Sequence, residues 1–239
     1  MTTLQCHVPV LVAVLAAALS LGSSRGGPTG EADSAKSYAK ICFSVATRGK
    51  DGRKEEAFSP EAKPGAGEWL LAHAVASQPC MLLVAAFDRA SDGLANDWRP
   101  QIADLTEPWE EIALPQAGWS WQDGSTDFDL YAVFIQPGSA DVADLKRLVA
   151  AMQRPDADPD LLRSQAEKLR ELITRLCGDT DPEKHRAAVA PVEVSGVVRG
   201  SEEFAWRKFA GKVNFSNGHP GLLIFPGGGA ANPGTAKAE

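Results

Sequence analysis

The sequence predicts an α+β protein, with a mostly antiparallel β-sandwich-like sheet and a helical hairpin at about residues 139–177 packed on one face. Three observations predict this class. Two apolar runs, at residues 69–75 and 80–87, lie close together, and a third run occupies Phe128–Ile135. After the third run, the spacing of apolar residues changes from the strand period of two to the helical period of 3.6.

Composition and charge limit the functions that the chain can have. Its 239 residues are 44% hydrophobic and 23% charged, with a formal net charge of −7. Such a composition is typical of a globular protein and not of a disordered one. The acidic balance argues against a nucleic-acid partner, because binding to phosphates requires a basic surface.

The N-terminal segment is typical of an export signal. Residues 1–24 contain no Asp, Glu, Lys or Arg, and an apolar run at residues 8–21 is followed by small residues. The run is short for a membrane span, so we expect a Sec-type signal peptide at 1–24 and a periplasmic or secreted protein. Because the leader lacks Lys and Arg, an uncleaved N-terminal membrane anchor is the alternative.

The rest of the chain is predicted to form one domain. Small and polar residues at 25–39 predict a linker, and residues 40–226 predict a single α+β domain with an optional sub-boundary near 178–190. Residues 227–239, rich in Gly, Ala and Pro, predict a disordered tail.

Three strands are predicted in the first half of the domain. Residues 41–46 alternate between large and small side chains, which indicates a half-buried strand. The run at 80–87 is apolar at both parities, as in a strand covered on both faces. Pro79 lacks a donor for the ladder and is expected at the entrance to that strand. We therefore predict that the runs at 69–75 and 80–87 form a central antiparallel pair.

The middle of the chain is rich in tryptophan and proline. Turn-forming residues predict a surface connection up to Pro100. Residues 110–114 and 119–122 are predicted as short strands, and Phe128–Ile135 as a central strand.

Two helices follow. Ser139 is a candidate N-cap for the first helix. Its apolar residues between 142 and 152 form one stripe, which is the surface to test for partner binding. Asp158 followed by Pro159 predicts the start of the second helix, and Gly178 predicts its end.

The C-terminal third returns to a strand pattern. Strands are predicted at residues 192–198, 207–215 and 222–225. These strands either complete the sheet or form a small second unit.

The tryptophans provide a specific functional hypothesis. Trp119 and Trp121 are two residues apart and would lie on the same side of a strand. Exposed indoles in a row with Trp109 would form a platform for a sugar ring, with Asp123 or Asp127 as hydrogen-bond acceptor. The alternative is that the indoles close one end of the sheet core.

The cysteines leave two interpretations open. In an oxidising compartment, Cys42 and Cys80 are a candidate disulfide that would add about 4 kcal/mol by closing the loop between them. Alternatively, Cys42, Cys80 and Cys177 are buried thiols that behave as small hydrophobic residues.

The remaining polar motifs do not predict a metal or a catalytic site. His73 lies within an apolar strand, where a satisfied core or edge histidine is expected. The acids around Asp156 match a calcium loop in spacing, but Leu161 stands where the loop requires glycine. We predict no metal, no cofactor and no catalytic residue.

Four segments in order are similar to a known domain: Pro64-Gly65 before a strand, PCMLLVAAFD at residues 79–88, Ile112-Ala113-Leu114-Pro115, and Phe128–Ile135 leading into a helix at Ser139. Together they resemble a bacterial β-sandwich domain of unknown function, found in exported proteins and beside kinase or caspase-like modules. The resemblance covers about residues 41–152. It implies an accessory or interaction role and supplies no catalytic residue.

The favoured function is therefore a non-catalytic envelope or secreted module that binds an unknown partner protein. A carbohydrate-binding module using the tryptophan platform is the alternative, with a glycan as its ligand. A hydrolase with an unidentified site is the third hypothesis. No nucleic-acid partner is expected, and membrane contact is expected only through an uncleaved N-terminal segment.

Overall fold

A computed structural model describes residues 37–52, 55–58, 65–91, 93–122, 125–185, 211–216 and 219–228. The predicted α+β class is confirmed, since these residues build two antiparallel sheets and helices. The strands are β1 (Ser37–Arg48), β2 (Glu55–Ala57), β3 (Trp69–Ala76), β4 (Cys80–Asp88), β5 (Gln101–Leu105), β6 (Glu111–Ser120), β7 (Phe128–Ile135), β8 (Gly211–Ser216) and β9 (Gly221–Gly227). The helices are α1 (Ala140–Met152), α2 (Pro159–Cys177) and the short α3 (Pro182–His185).

Each sheet has its own strand order. Sheet A runs β2–β1–β3–β6, with β8 also paired to β1, and sheet B runs β5–β4–β7–β9. Strands β8 and β2 divide one edge of β1 between them, because β8 pairs with residues 37–43 and β2 with residues 46–48. The other edge of β1 pairs with β3.

The two runs at 69–75 and 80–87 are strands, but the prediction that they pair with each other is wrong. Strand β3 lies in sheet A between β1 and β6, whereas β4 lies in sheet B between β5 and β7. Pro79 favours extended backbone at Gln78, so the link does not form a tight hairpin turn. Ser77 instead bonds to β1, where its N–H donates to the Lys40 carbonyl oxygen at 2.9 Å.

Side chains from both sheets meet in one apolar cluster, which we call the shared core. The ring of Phe43 in β1 meets that of Phe134 in β7 edge-on, with centroids 6.1 Å apart. Phe58, which follows β2, packs against Phe128 of β7 and Phe225 of β9. Strand β1 is buried on both faces at residues 41–46, and so it is not the half-buried strand that alternation predicted.

The opposite face of sheet B packs against α1 and α2 in a second apolar cluster. Buried members from the helices include Leu145, Val149 and Met152 of α1 and Ala166, Leu169 and Ile173 of α2. The sheet contributes the alternate residues of its strands, whose side chains point away from the shared core, such as Leu83 and Val133. The stripe of α1 considered for partner binding is therefore packed against the protein's own sheet.

The predicted limits of α2 are confirmed. The Asp158 side chain accepts a hydrogen bond from the Asp160 N–H at 2.7 Å, and Pro159 is the first helical residue. Gly178 ends the helix with a φ of 78°, a conformation that favours glycine. Ser139 holds the N-cap position of α1, but its side chain makes no capping hydrogen bond.

The sequence patterns missed or divided several strands of the sheets. Strands β2 and β5 were not predicted, and the two short strands expected at 110–114 and 119–122 are one strand, β6. Its pairing with β3 is interrupted by a bulge at residues 115–118. Gly118 has a φ of 80°, and a side chain there would meet the Cβ of Trp69 at 2.9 Å.

The two C-terminal strands complete the sheets and do not form a second unit, since β8 pairs with β1 and β9 with β7. Strand β1 begins at Ser37, within the predicted linker, and Gly227 belongs to β9. The predicted signal peptide, the strand at 192–198 and the tail beyond residue 228 lie outside the described residues.

Candidate functional site

The tryptophans point to one side, as predicted, but that side is the shared core. Trp119 and Trp121 are only 5% and 4% exposed. Trp98 stacks on Trp119 with ring centroids 5.8 Å apart and also contacts Trp121 and Phe128. The expectation of an exposed sugar platform is therefore corrected: these indoles close one end of the core, where large aromatic area is needed between the sheets.

Polar atoms of the tryptophans are satisfied inside the protein. The indole N–H of Trp98 donates to the Ser120 carbonyl oxygen at 3.0 Å, and that of Trp119 donates to the Arg99 carbonyl oxygen at 3.1 Å. Trp109 is partly buried in a turn with a φ of 66°, away from the other two. Asp123 lies outside the described residues.

The candidate disulfide is not formed in this structure, where Cys80 is a free thiol. The parity of the strands explains this. Cys80 belongs to the shared core, whereas Cys42 alternates with Ile41 and Phe43, which do face that core, and so lies on the opposite side of β1. Burial raises the pKa of the Cys80 thiol to about 12 and that of Cys177 to about 11, so both thiols stay protonated at neutral pH.

The candidate site lies on the face of sheet A that points away from the shared core. Four side chains form a row across four strands: Arg48 of β1, Glu55 of β2, His73 of β3 and Glu111 of β6. We call them the ionic row. Their neighbours on β1 and β3 include Ala46, Leu71 and Val75, all buried.

His73 is the centre of this row, with its side chain 3% exposed. Its Nδ1 lies 2.8 Å from Oε1 of Glu111, and its Nε2 lies 3.1 Å from Oε2 of Glu55. The other oxygen of Glu55 accepts two hydrogen bonds from Arg48, from Nε at 3.1 Å and from Nη2 at 2.7 Å. The expectation of a core histidine is confirmed, with a hydrogen bond at Nδ1. The contact between Nε2 and Oε2 of Glu55 has the distance of an ion pair but not the geometry of a hydrogen bond.

The geometry of the row favours ion pairing over catalysis or metal binding. Each ring nitrogen of His73 faces a carboxylate oxygen within 3.1 Å, with a hydrogen bond at Nδ1, whereas a metal-binding imidazole turns one nitrogen to the ion. Within the described residues, no group of three or more His, Cys, Asp or Glu is arranged to hold a metal ion. The row can therefore hold strands together and exchange a proton.

A second polar group lies at the end of sheet B, beside α2. Arg89 donates from Nε to Oδ1 of the buried Asp129 at 2.9 Å. The guanidinium of Arg170 lies over the Phe87 ring, 5.1 Å from its centroid. Burial raises the pKa of the neighbouring Tyr131 hydroxyl, and the charge and hydrogen bond of Arg170 partly offset that rise.

An open groove runs along the outer surface of the helical hairpin, between α1 and α2. Its volume is about 570 Å³. It is lined by Asp144, Arg147, Leu148 and Ala151 of α1 and by Gln165, Lys168, Glu171, Leu172 and Arg175 of α2. Charged side chains of both signs thus border a groove that also contains apolar residues.

The ionic row was missed because the sequence gives little sign of it. Glu55 lies on the unpredicted strand β2, and the pattern did not select Glu111 from the other acids near it. The one local signal is His73 itself, the single ionisable residue between Trp69 and Pro79. An ionisable group in such a run requires a buried partner.

Comparisons with known proteins give no match: no family model fits the sequence, and no curated protein and no solved structure is similar to it. Among the helices of the described ranges, none is both long and apolar enough to cross a bilayer.

Proposed function

We propose that the chain is an exported, non-catalytic module of the cell envelope or of the secreted fraction that binds a partner protein. We also propose that its two sheets form a β-sandwich around the shared core, with the helical hairpin outside. The contact between Phe43 and Phe134, on opposite sheets, supports the sandwich.

The groove between α1 and α2 is the observation that carries the binding proposal. Its charged rim is exposed: the side chain of Arg147 is 82% exposed, that of Arg175 67% and that of Asp144 53%. Leu148 and Leu172 contribute apolar area between these charges. Apolar area within a charged and polar rim is the usual anatomy of a protein interface.

The use of the ionisable groups supports a non-catalytic role. His73 faces carboxylates on both ring nitrogens, and Arg89 is paired with Asp129. A general base needs a nitrogen that reaches the substrate, whereas His73 is 3% exposed and both of its nitrogens face glutamates of the same sheet.

Site-specific photocrosslinking in the native compartment tests the binding proposal. A photoreactive residue at Ala151, in the groove, is expected to yield a discrete adduct with one partner protein. Arg147→Glu combined with Lys168→Glu should abolish that adduct, because it reverses the charge of two rim residues. As the matched control, Arg154→Glu with Arg163→Glu changes two exposed arginines outside the groove and should leave the adduct intact.

Two outcomes would count against the binding proposal. One is the absence of any discrete adduct from Ala151, and the other is an adduct that survives charge reversal in the groove. Circular dichroism and urea unfolding of each variant establish that the fold is retained.

Export is tested separately. Protein recovered from the envelope or the medium is expected to begin near residue 25 when its N-terminus is sequenced, since the proposed leader occupies residues 1–24. A chain that remains in the cytoplasm and retains Met1 would contradict export without affecting the binding proposal.

A further inference from the structure

The protonation state of His73 follows from what its two ring nitrogens face. Both lie within 3.1 Å of a carboxylate oxygen, Glu111 on one side and Glu55 on the other. A neutral imidazole has one N–H, so its other nitrogen presents a lone pair. That lone pair would face an anionic oxygen at close range, which is repulsive. An imidazolium is attracted to both, through the hydrogen bond from Nδ1 to Glu111 and the ion-pair contact of Nε2 with Glu55.

Burial strengthens the preference for the imidazolium. The His73 side chain is 3% exposed, and the facing side chains of Glu55 and Glu111 are 17% and 19% exposed. Solvent therefore screens the attraction between an imidazolium and these carboxylates less than it would at the surface.

Protonating a facing glutamate instead is the less favourable way to remove this repulsion. Unperturbed histidine titrates near pH ~6.5 and glutamate near pH ~4.3, so at neutral pH the imidazole takes the proton first. The two hydrogen bonds from Arg48 further favour the ionised form of Glu55. Facing His73 on the paired strands, Ser44 of β1 and Ala113 of β6 carry no charge, and β8 contributes the charged position Lys212, whose backbone pairs with Cys42.

We propose that His73 is an imidazolium in the folded protein at neutral pH, and that this charge makes the attachment of β2 and β6 to sheet A sensitive to pH. Among the described residues, β2 pairs with β1 through positions 55–57, and the Glu55 side chain adds its contacts with Arg48 and His73 to this short ladder. This inference does not depend on partner binding.

The pH dependence has a definite direction. An exposed histidine of the unfolded chain loses its proton near pH ~6.5, whereas folded His73 keeps it to higher pH. The stabilisation is therefore complete below that pH and is lost as pH rises through the titration of folded His73. Between these limits the unfolding equilibrium constant should rise up to about tenfold per pH unit.

Nuclear magnetic resonance of the full chain with ¹⁵N-labelled histidine tests the proposal. At pH 7.5 both ring nitrogens of His73 are expected to show the shifts of a doubly protonated ring. His73→Gln identifies the resonances of His73 by removing them.

A pair of adjacent variants sharpens the test. Glu111→Gln should lower the pH at which His73 loses its proton by about one unit or more, because it removes one facing charge. Glu110→Gln changes the exposed neighbour and should have no such effect. A wild-type spectrum at pH 7.5 with one unprotonated ring nitrogen would overturn the proposal, and so would equal effects of the two variants. The wild-type spectrum decides the question even if Glu111→Gln does not fold.

Discussion

The faces of the two sheets that point away from the shared core both contain buried residues, but the chemistry of these residues differs. On sheet B, α1 and α2 cover apolar residues such as Leu83 and Val133. On sheet A, the ionic row crosses four strands among apolar neighbours. Apolar packing is non-directional and depends on volume, whereas the row depends on the position and charge of every member. The two faces should therefore respond differently to substitution and to pH.

The largest effect is expected from a cavity in the helix-covered face of sheet B. Ile173→Ala should lower the free energy of unfolding by about 3 to 4 kcal/mol, because Ile173 is fully buried between α2 and the sheet. Leu161→Ala, on the same helix but 43% exposed, should change it by less than about 0.5 kcal/mol. Urea unfolding monitored by circular dichroism measures both, and similar losses would show that α2 does not cover the sheet.

The next effect is expected in the ionic row. His73→Leu should cost about 2 to 3 kcal/mol at pH 7, because it leaves Glu55 and Glu111 facing an apolar side chain. The loss should be smaller near pH ~4.5, where the two glutamates begin to take up protons. Urea unfolding at both pH values measures the difference. If the loss in unfolding free energy does not change with pH, it arises from apolar packing and not from charge. The two faces would then not differ in the way described.

A smaller effect is expected in the shared core, which serves both sheets. Trp119→Phe should cost about 1 to 2 kcal/mol through the lost bond to the Arg99 carbonyl oxygen and lost apolar area. Hydrogen exchange should accelerate in β3 of sheet A and β4 of sheet B alike.

The burial of the tryptophans also predicts the fluorescence of the wild-type protein. Its emission should be blue-shifted and unchanged by added glycans. A glycan-dependent shift would restore the sugar-platform hypothesis.

The smallest effect is expected at the surface of the helical hairpin. Lys146 contacts Asp104 at 2.7 Å, with side chains 44% and 56% exposed. Lys146→Ala should change the free energy of unfolding by less than about 0.5 kcal/mol, because exposed ion pairs are solvated and screened by salt. Urea unfolding at low and high salt measures this value. If Lys146→Ala lowers the unfolding free energy as much as His73→Leu does, burial does not explain the difference between the surface pair and the ionic row.

Much of the fold could be predicted from local patterns. The apolar run of β7 and the capping residues Asp158, Pro159 and Gly178 gave the element types and several of their limits. Such signals depend on residues close in sequence, so they are visible in the sequence alone. The stripe of α1 was also predicted, although it packs against sheet B.

The assignment of strands to sheets could not be predicted in the same way. The run that became β4 is apolar on both faces, and the run that became β3 is apolar except at His73. This pattern fits one sheet with two covered faces as well as two sheets that pack on each other. The partner of a strand depends on distant segments, as with β8 on β1. Local patterns do not report these pairings.

The candidate site was the least predictable part. His73 was identified as a satisfied histidine, but Glu55 and Glu111 are 18 and 38 positions away in the sequence. They meet His73 through the pairing of strands. Strand β2, with Glu55, pairs with β1, which pairs with β3, and β6, with Glu111, pairs directly with β3. Trp119 and Trp121 were placed on one side correctly, yet periodicity does not distinguish an inner side from an outer one.

A double-mutant cycle between His73 and Glu111 is the most direct test of the contrast between the two faces. Urea unfolding of His73→Leu, Glu111→Leu and the double variant gives the coupling free energy of the pair. We expect about 2 kcal/mol, against about 0.5 kcal/mol or less for the parallel cycle between Lys146 and Asp104. A coupling between His73 and Glu111 no larger than that of the surface pair would contradict the account.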